Sequence, residues 1–371
     1  MRLQIVDPPA YTPPYDRSLC EALARVGADV ELVTSPFRWG NVPEANGYEV
    51  REMFYRRASR LSPRSRGRRP LAAAEHLTDM LRYRHRTSDR ADVSHFQWLT
   101  FPRLDAHLLP TGVPLVQTPH GLLREEAWSE GRPFARLLRR MDAIVALSDY
   151  GADVARELAG VPADRVRVIP HGAFDYLTQL PEEAALPPEL AAVEGPVVLF
   201  FGLIRPYKAV DVLLRAFSEL EGAELWIVGR PLGVELSELT GLAESSRSTV
   251  RFVTRFVDDE EIPALFRRAD LVVLPHRDAE QSGVLFTALA FGKPIVMTDV
   301  GGFGEMAAQG IGRLVPPEDR DALATAIADL LDDPSERDRL GAAARAAAAG
   351  PYSWDAIARQ HLALYRELLG N

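Results

Sequence analysis

The chain has 371 residues, too many for one ordinary core and enough for two domains of roughly 150 to 200 residues each. Its apolar fraction of 47% is that of a globular chain, and the apolar runs Val197 to Phe201 and Leu271 to Leu274 fall far short of the roughly 20 residues that a bilayer requires. A formal charge of -9 argues against a general nucleic-acid binder, and the single cysteine, Cys20, excludes an internal disulfide and a cysteine-based zinc cluster.

The first expected strand, Leu3 to Val6, is short and is followed at once by Asp7-Pro8-Pro9, which is not the pattern of a signal peptide, so a cytoplasmic protein is expected. A proline-rich loop, Pro8 to Tyr15, leads into a helix over Tyr15 to Val26 with Cys20 on its apolar side as a buried thiol. Strands are expected next at Val30 to Thr34, Val93 to Phe96, Leu115 to Thr118, Ala143 to Leu147 and Arg167 to Ile169. Helices are expected near Ala72 to Tyr83, Phe134 to Arg140 and Tyr150 to Leu158. No element is assigned between Phe37 and Pro70. Arginines crowd the span from Arg51 to Arg90, including Arg56, Arg57, Arg60, Arg64, Arg66, Arg68, Arg69, Arg82, Arg84 and Arg86. Such a cluster suits an anionic membrane, a lipid phosphate or a phosphate-bearing substrate, and equally an ordinary solvated loop.

His120 follows a strand end directly, and a neutral imidazole there suits a hydrogen bond to a sugar hydroxyl or to an acceptor. His171 stands similarly, whereas His95 and His276 read as local structural groups. Tyr15 and Asp16 are expected to form the near wall of a substrate site, for the acceptor.

Residues 179–195 are rich in Pro, Glu and Ala without a strand pattern and read as a linker between an N-terminal domain, 1–178, and a C-terminal domain, 196–350. The second domain restarts with strands at Val197 to Phe201, Leu225 to Val228, Val250 to Val253, Leu271 to Leu274 and Pro294 to Met297, then passes into Ala- and Leu-rich helices. Gly350-Pro351 stops the last of these, and a closing helix over Trp354 to Leu369 is expected within 351–371. Alternating strands and helices predict an α/β protein of two doubly wound, mostly parallel sheets, whose strand ends would meet at one cleft.

Three segments of the second domain carry the chemistry. In the first, Gly202 turns the chain after a strand, and Arg205 and Lys208 project two cations suited to the charge of a leaving diphosphate. The chain has only two lysines, Lys208 and Lys293, and both fall in loops expected to face the site. Asp211 is either a further contact or an exposed helix residue. In the second, Ser282 is placed as the cap of a helix opening at Gly283. Free N–H groups at Ser282, Gly283 and Val284 make an anion site, and Glu280 and Gln281 beside them suit sugar hydroxyls. In the third, Gly301 and Gly302 permit close approach of a ligand, and Glu305 either orients a hydroxyl or caps a helix. No signature for ATP or NAD is present.

The segments Phe201 to Lys208, Gly292 to Val296, Asp299 to Glu305 and Gly312 to Asp319 together resemble family 4 of the retaining glycosyltransferases. The first half resembles it more loosely, through the Pro-Tyr loop, His120, Ala146 to Ser148, Ile169 to Gly172 and the closing Tyr352 to Asp355 segment. The resemblance implies two Rossmann-like domains of the glycosyltransferase B type, with the last helix crossing back to the first domain. It further implies a nucleoside diphosphate sugar as donor, a UDP-sugar before a GDP-sugar, held mainly by the second domain. Transfer would then go, with retention and without a cofactor or metal, to the hydroxyl of an acceptor such as a polysaccharide or lipid-linked intermediate. His120 matches the family's cleft histidine. The chain departs from the pattern at Ala279 and Thr287, where the family carries two glutamates, at Leu203 in place of an arginine, and at Pro13-Pro14-Tyr15-Asp16 in place of a glycine pair. Glu280 adjoins the first of the missing glutamates. A nucleotide-sugar epimerase of the same architecture and a non-catalytic nucleotide-sugar binder are the alternatives.

Overall fold

The computed structural model describes every residue except 39, 41, 43, 63, 64, 122–130, 181–183, 192, 194 and 371, so Arg64 of the arginine cluster lies outside the described residues. The chain forms two compact units, Met1–Gly172 with Trp354–Asn371, and Ala173–Ser353. The divisions fall after Gly172 and Ser353, against the expected 178 and 350, and the segment after Gly172 is part of the second unit.

In the first unit the strands are β1 (Arg2–Asp7), β2 (Asp29–Thr34), β3 (Glu49–Glu52), β4 (Val93–Phe96), β5 (Leu115–Gln117), β6 (Ala143–Ala146) and β7 (Val166–Val168). They form one sheet in the order β3-β2-β1-β4-β5-β6-β7, every pair parallel. The order reverses between β1 and β4, and in such sheets the carboxyl ends of the strands at that reversal form the binding crevice. β1 and β4 are buried nearly throughout, as the central strands of a parallel sheet covered on both faces are, with the polar Gln4, Asp7, Ser94 and His95 buried among their apolar residues. β3 is half exposed and charged, as an edge strand is, and its sequence, EVRE, lacks the apolar run that would have announced it. The helix expected over Ala72 to Tyr83 extends over Arg68–Arg90, and a short helix, Pro102–Leu108, was not expected.

The helix Trp354–Leu368 belongs to this unit. Its Tyr365 hydroxyl bonds His95 Nδ1 at 2.6 Å, and Asp355 pairs with Arg25 at 2.8 Å. Gly172 lies so close to the Trp354 indole that a Cβ there would stand 2.5 Å from the ring.

The second unit contains β8 (Val197–Phe201), β9 (Glu224–Val228), β10 (Val250–Val253), β11 (Leu271–Leu274), β12 (Ile295–Thr298) and β13 (Arg313–Val315). The order is β10-β9-β8-β11-β12-β13, again all parallel, with the reversal between β8 and β11. The core gathers Phe200, Ile227 and Val273 from the sheet with Leu213, Phe217 and Ile327 from the helices Val210–Phe217 and Arg320–Asp332. Among the described residues no helix is long and apolar enough to cross a membrane.

Candidate functional site

At the sheet reversal of the second unit, β8 ends at Gly202, whose φ of +103° is one that only glycine adopts without strain. Its N–H donates to Val228 O at 2.9 Å, and its carbonyl lies where a Cβ on Gly229 would sit, so two glycines let the ends of β8 and β9 converge. A short 3-10 turn, Pro206–Lys208, then folds Lys208 back. The lysine is 8% exposed, and from the point where a Cβ on Gly202 would be, its Nζ lies 3.1 Å away and Val284 Cγ2 3.2 Å away. The loop after β8, the lysine charge and the first turn of the helix Gly283–Ala290 therefore meet at one place. First-turn N–H groups have no partner within their own helix and, with the helix dipole, present about half a positive charge.

Arg205 is half-buried, and its side chain has no hydrogen bond or ion pair among the described residues. Asp211 is accounted for structurally: it binds Arg215 at 2.9 Å and Arg277 at 2.8 Å. Arg277 in turn donates from Nη1 to Pro206 O and from its backbone N–H to Tyr207 O, each at 2.7 Å, and from Nε to Glu318. Sequence reasoning missed Arg277, although its position three residues past β11 was the signal available. It clamps the turn that carries Lys208. His276 beside it packs edge-on to Tyr207 and Phe303, and burial, then the Lys208 charge, pushes its pKa well down.

The second and third glycine-bearing segments join. The Gly302 N–H donates to Glu280 O at 3.2 Å, and a Cβ on Gly301 would collide with the Ala279 carbonyl oxygen. Glu280 and Ser282 are buried, with Gln281 between them half-buried. Ser282 occupies the expected cap position of the helix opening at Gly283, although its side chain makes no capping bond. Thr287 Oγ1 bonds back to Gly283 O at 3.1 Å. Glu305 sits in the first turn of the helix Phe303–Ala308. Lys293 is not at the site: its Nζ donates to Arg267 O at 3.0 Å and Ala269 O at 2.8 Å, closing the end of the helix Ile262–Arg268.

The first unit has its own constellation at the carboxyl ends of β1, β4 and β5. His120 Nε2 bonds Gln97 Oε1 at 2.9 Å, and its ring stacks on Trp98 with centroids 5.6 Å apart. Burial, then neighbouring His171, lowers its pKa to about 3, so the imidazole is neutral at physiological pH. Tyr15, at 1% exposure, stands edge-on behind His120, His171 and Trp354, and Asp16 is buried beside Asp7. The two expected wall residues thus lie behind the surface, because the helix Pro13–Arg25 turns them inward. His171 is also packed, with Nδ1 donating to Gly172 O at 2.6 Å. Asp7, Gln97 and Trp98 were missed; the signal was their position at the ends of the two strands flanking the reversal. Among the described residues no group of three or more His, Cys, Asp or Glu is arranged to hold a metal ion.

Two family descriptions match the chain: Glycosyltransferase Family 4 over residues 16–173 and Glycosyl transferases group 1 over residues 195–333. An alpha-D-kanosaminyltransferase from Streptomyces kanamyceticus is 32% identical over 240 residues, 62% of this chain and 62% of that protein. This chain thus spans less than two thirds of that relative's length. A D-inositol 3-phosphate glycosyltransferase from Kineococcus radiotolerans is 31% identical over 303 residues, 72% of this chain and 68% of the relative. Among solved structures, sucrose-phosphate synthase from Thermosynechococcus elongatus has a TM-score of 0.78 at 22% identity, covering 100% of this chain and 99% of the other. HepE from Anabaena in complex with UDP-glucose has a TM-score of 0.73 at 20% identity, with coverage of 100% and 99%.

Proposed function

The chain belongs to glycosyltransferase family 4, and we propose that it moves a hexose from a nucleoside diphosphate sugar to an acceptor hydroxyl with retention of anomeric configuration. One observation carries the reading: Gly202, Lys208 Nζ and Val284 converge where the second sheet reverses its strand order. A diphosphate seated there meets a fixed ammonium and the N–H groups of a helix start, with Arg205 as the second cation. These groups favour the state in which negative charge grows on the leaving diphosphate, which is where binding accelerates a reaction. Two cations and a helix start supply the neutralisation for which other transferases use a divalent metal, so chelators leave the rate unchanged in this proposal.

Glu280 and Gln281, with the Gly301-Gly302 backbone and Glu305 nearby, take the sugar hydroxyls. Glu280 stands in for the carboxylate missing at Ala279. UDP is the favoured nucleotide, in line with the UDP-glucose bound by HepE, and GDP is the alternative. His120, neutral and held by Gln97, is assigned to hydrogen bonding with a substrate hydroxyl, and the donor phosphate assists deprotonation of the acceptor. The kinship with D-inositol 3-phosphate glycosyltransferases favours a phosphate-bearing acceptor. Arg51, Arg56, Arg57, Arg82 and Arg86 outnumber Glu75 and Asp79 around a hollow of about 570 Å³, and this excess of positive charge suits a phosphate or an anionic lipid head group, which fits a cytoplasmic enzyme visiting a membrane face. Flotation with anionic liposomes that does not respond to reversing these charges removes the membrane part of the proposal.

Incubation with labelled UDP- and GDP-sugars tests the function. Slow donor hydrolysis without acceptor, and a product whose anomeric configuration by NMR is that of the donor, are expected. Inversion at C2 of the sugar indicates an epimerase instead, and tight binding with no turnover indicates a binding protein.

A further inference from the structure

Two carboxyl groups share one buried place at the carboxyl end of β1. Asp7 is fully buried, and Asp16, in the first turn of the helix Pro13–Arg25, is 2% exposed. The two carboxyl groups meet at one residue, Thr12, whose backbone N–H donates to Asp7 Oδ2 at 3.2 Å and whose hydroxyl lies 3.4 Å from Asp16 Oδ2. The oxygens of Asp7 are used unequally. Oδ2 accepts from the backbone N–H groups of Tyr11 at 2.8 Å and Thr12 at 3.2 Å, whereas Oδ1 is buried and has no donor among the described residues. A buried carboxylate oxygen beside a second carboxyl is satisfied when that carboxyl keeps its proton and donates it. Asp16 lies 3.4 Å from Thr12 Oγ1, which in turn accepts from Trp98 Nε1 at 3.0 Å. The Trp98 indole is the face on which His120 stacks, with an interplanar angle of 18°.

We propose that Asp7 and Asp16 hold a single proton between them, and that this acid pair positions Trp98 and His120 through Thr12. Asp16 carries the proton and donates to Asp7 Oδ1, and Asp7 anchors the Tyr11-Thr12 backbone. The inference rests on the assignment of His120 to the reaction. Neither aspartate touches substrate; both are positioning residues. Desolvation raises both acids, Asp7 to about 6 and Asp16 well above its ordinary value. The other titratable or charged groups bearing on the pair are Arg17, which favours the ionised form of Asp16, and Tyr15 and Cys20, buried beside it on the same helix. From other elements, Tyr365 of the closing helix and the His120 and His171 rings adjoin Tyr15, and Tyr48 adjoins Arg17 and Cys20. Removing the shared proton leaves two like charges in one dry pocket, and the repulsion is relieved by the 8–12 loop releasing Thr12.

The test compares Asp16→Ala with Asp16→Asn, whose amide N–H donates to Asp7 as the acid O–H does. Two quantities are followed against pH: kcat/KM for sugar transfer, and Trp98 fluorescence taken as the difference between each protein and its Trp98→Phe counterpart. Asp16→Ala is expected to lose about tenfold or more in kcat/KM near neutral pH. Asp16→Asn is expected to recover most of that loss, and to lack both the alkaline limb of the wild-type profile and the Trp98 titration. The proposal is overturned if Asp16→Asn keeps the alkaline limb and the titration, or falls as far as Asp16→Ala while UDP binding and Tm are intact. Should the wild type transfer no sugar, the functional reading fails, and the Trp98 titration still decides whether the pair shares a proton.

Discussion

Lys208 sits over a glycine and beside a helix start, so its charge has a fixed address. Shortening it to alanine removes the ammonium and leaves the fold standing, because Arg277 still binds the carbonyls of Pro206 and Tyr207 in the turn. Arg277→Ala acts differently. It frees the turn, so the apparent KM for donor rises about tenfold while Lys208 is still present, a loss of about 1.4 kcal/mol measurable by steady-state kinetics. An unchanged KM separates the clamp from the site. At this scale the sequence was informative where composition was unusual: one lysine among many arginines after a strand pointed to Lys208. It was silent about Arg277 and Trp98, because an arginine or tryptophan in a loop is ordinary until the fold shows what it touches. The scarcity of lysine also misled, since Lys293 turned out to bind two carbonyls at a helix end.

Elements place these side chains through a few backbone positions. Gly301→Ala sets a methyl into the Ala279 carbonyl, so the 279–282 loop must move. Donor affinity is expected to fall at least about tenfold, with Tm lowered by a few degrees, by titration calorimetry and thermal denaturation. Ser282→Ala, by contrast, removes no capping bond and costs under about 0.5 kcal/mol, while Ser148→Ala breaks the bond from Gly151 N at 3.0 Å and costs about 1 kcal/mol. Denaturant unfolding of both variants checks the contrast, and equal losses contradict it. Strands with continuous apolar runs were legible in the sequence, since Val197 to Phe201 and Leu271 to Leu274 are buried on both faces. β3 and β13 were not, because short edge strands half open to solvent carry no such run.

For the whole molecule, the helix Trp354–Leu368 ties the chain's last residues to its first unit, a link that the resemblance implied and no local pattern revealed. Its burial also contributes to acid lability. Burial holds His95 and His276 well below the ordinary histidine value, His120 near about 3, and His171 and His361 near about 4. Each is neutral when folded and protonates in the unfolded chain below about 6.5, so the unfolded state gains protons and stability is lost as pH falls from there towards about 4. Asp7, raised to about 6, works in the opposite direction, its contribution being present at low pH and lost as pH rises through about 6. Five histidines outweigh the acid pair, and Tm is expected to fall between about pH 7 and about pH 5; a rise contradicts the sign. The most direct test of the diphosphate clamp is calorimetric titration of UDP into the wild type and Lys208→Ala. Affinity lost by about tenfold or more, at unchanged Tm, is the predicted result. Equal dissociation constants for the two proteins contradict it.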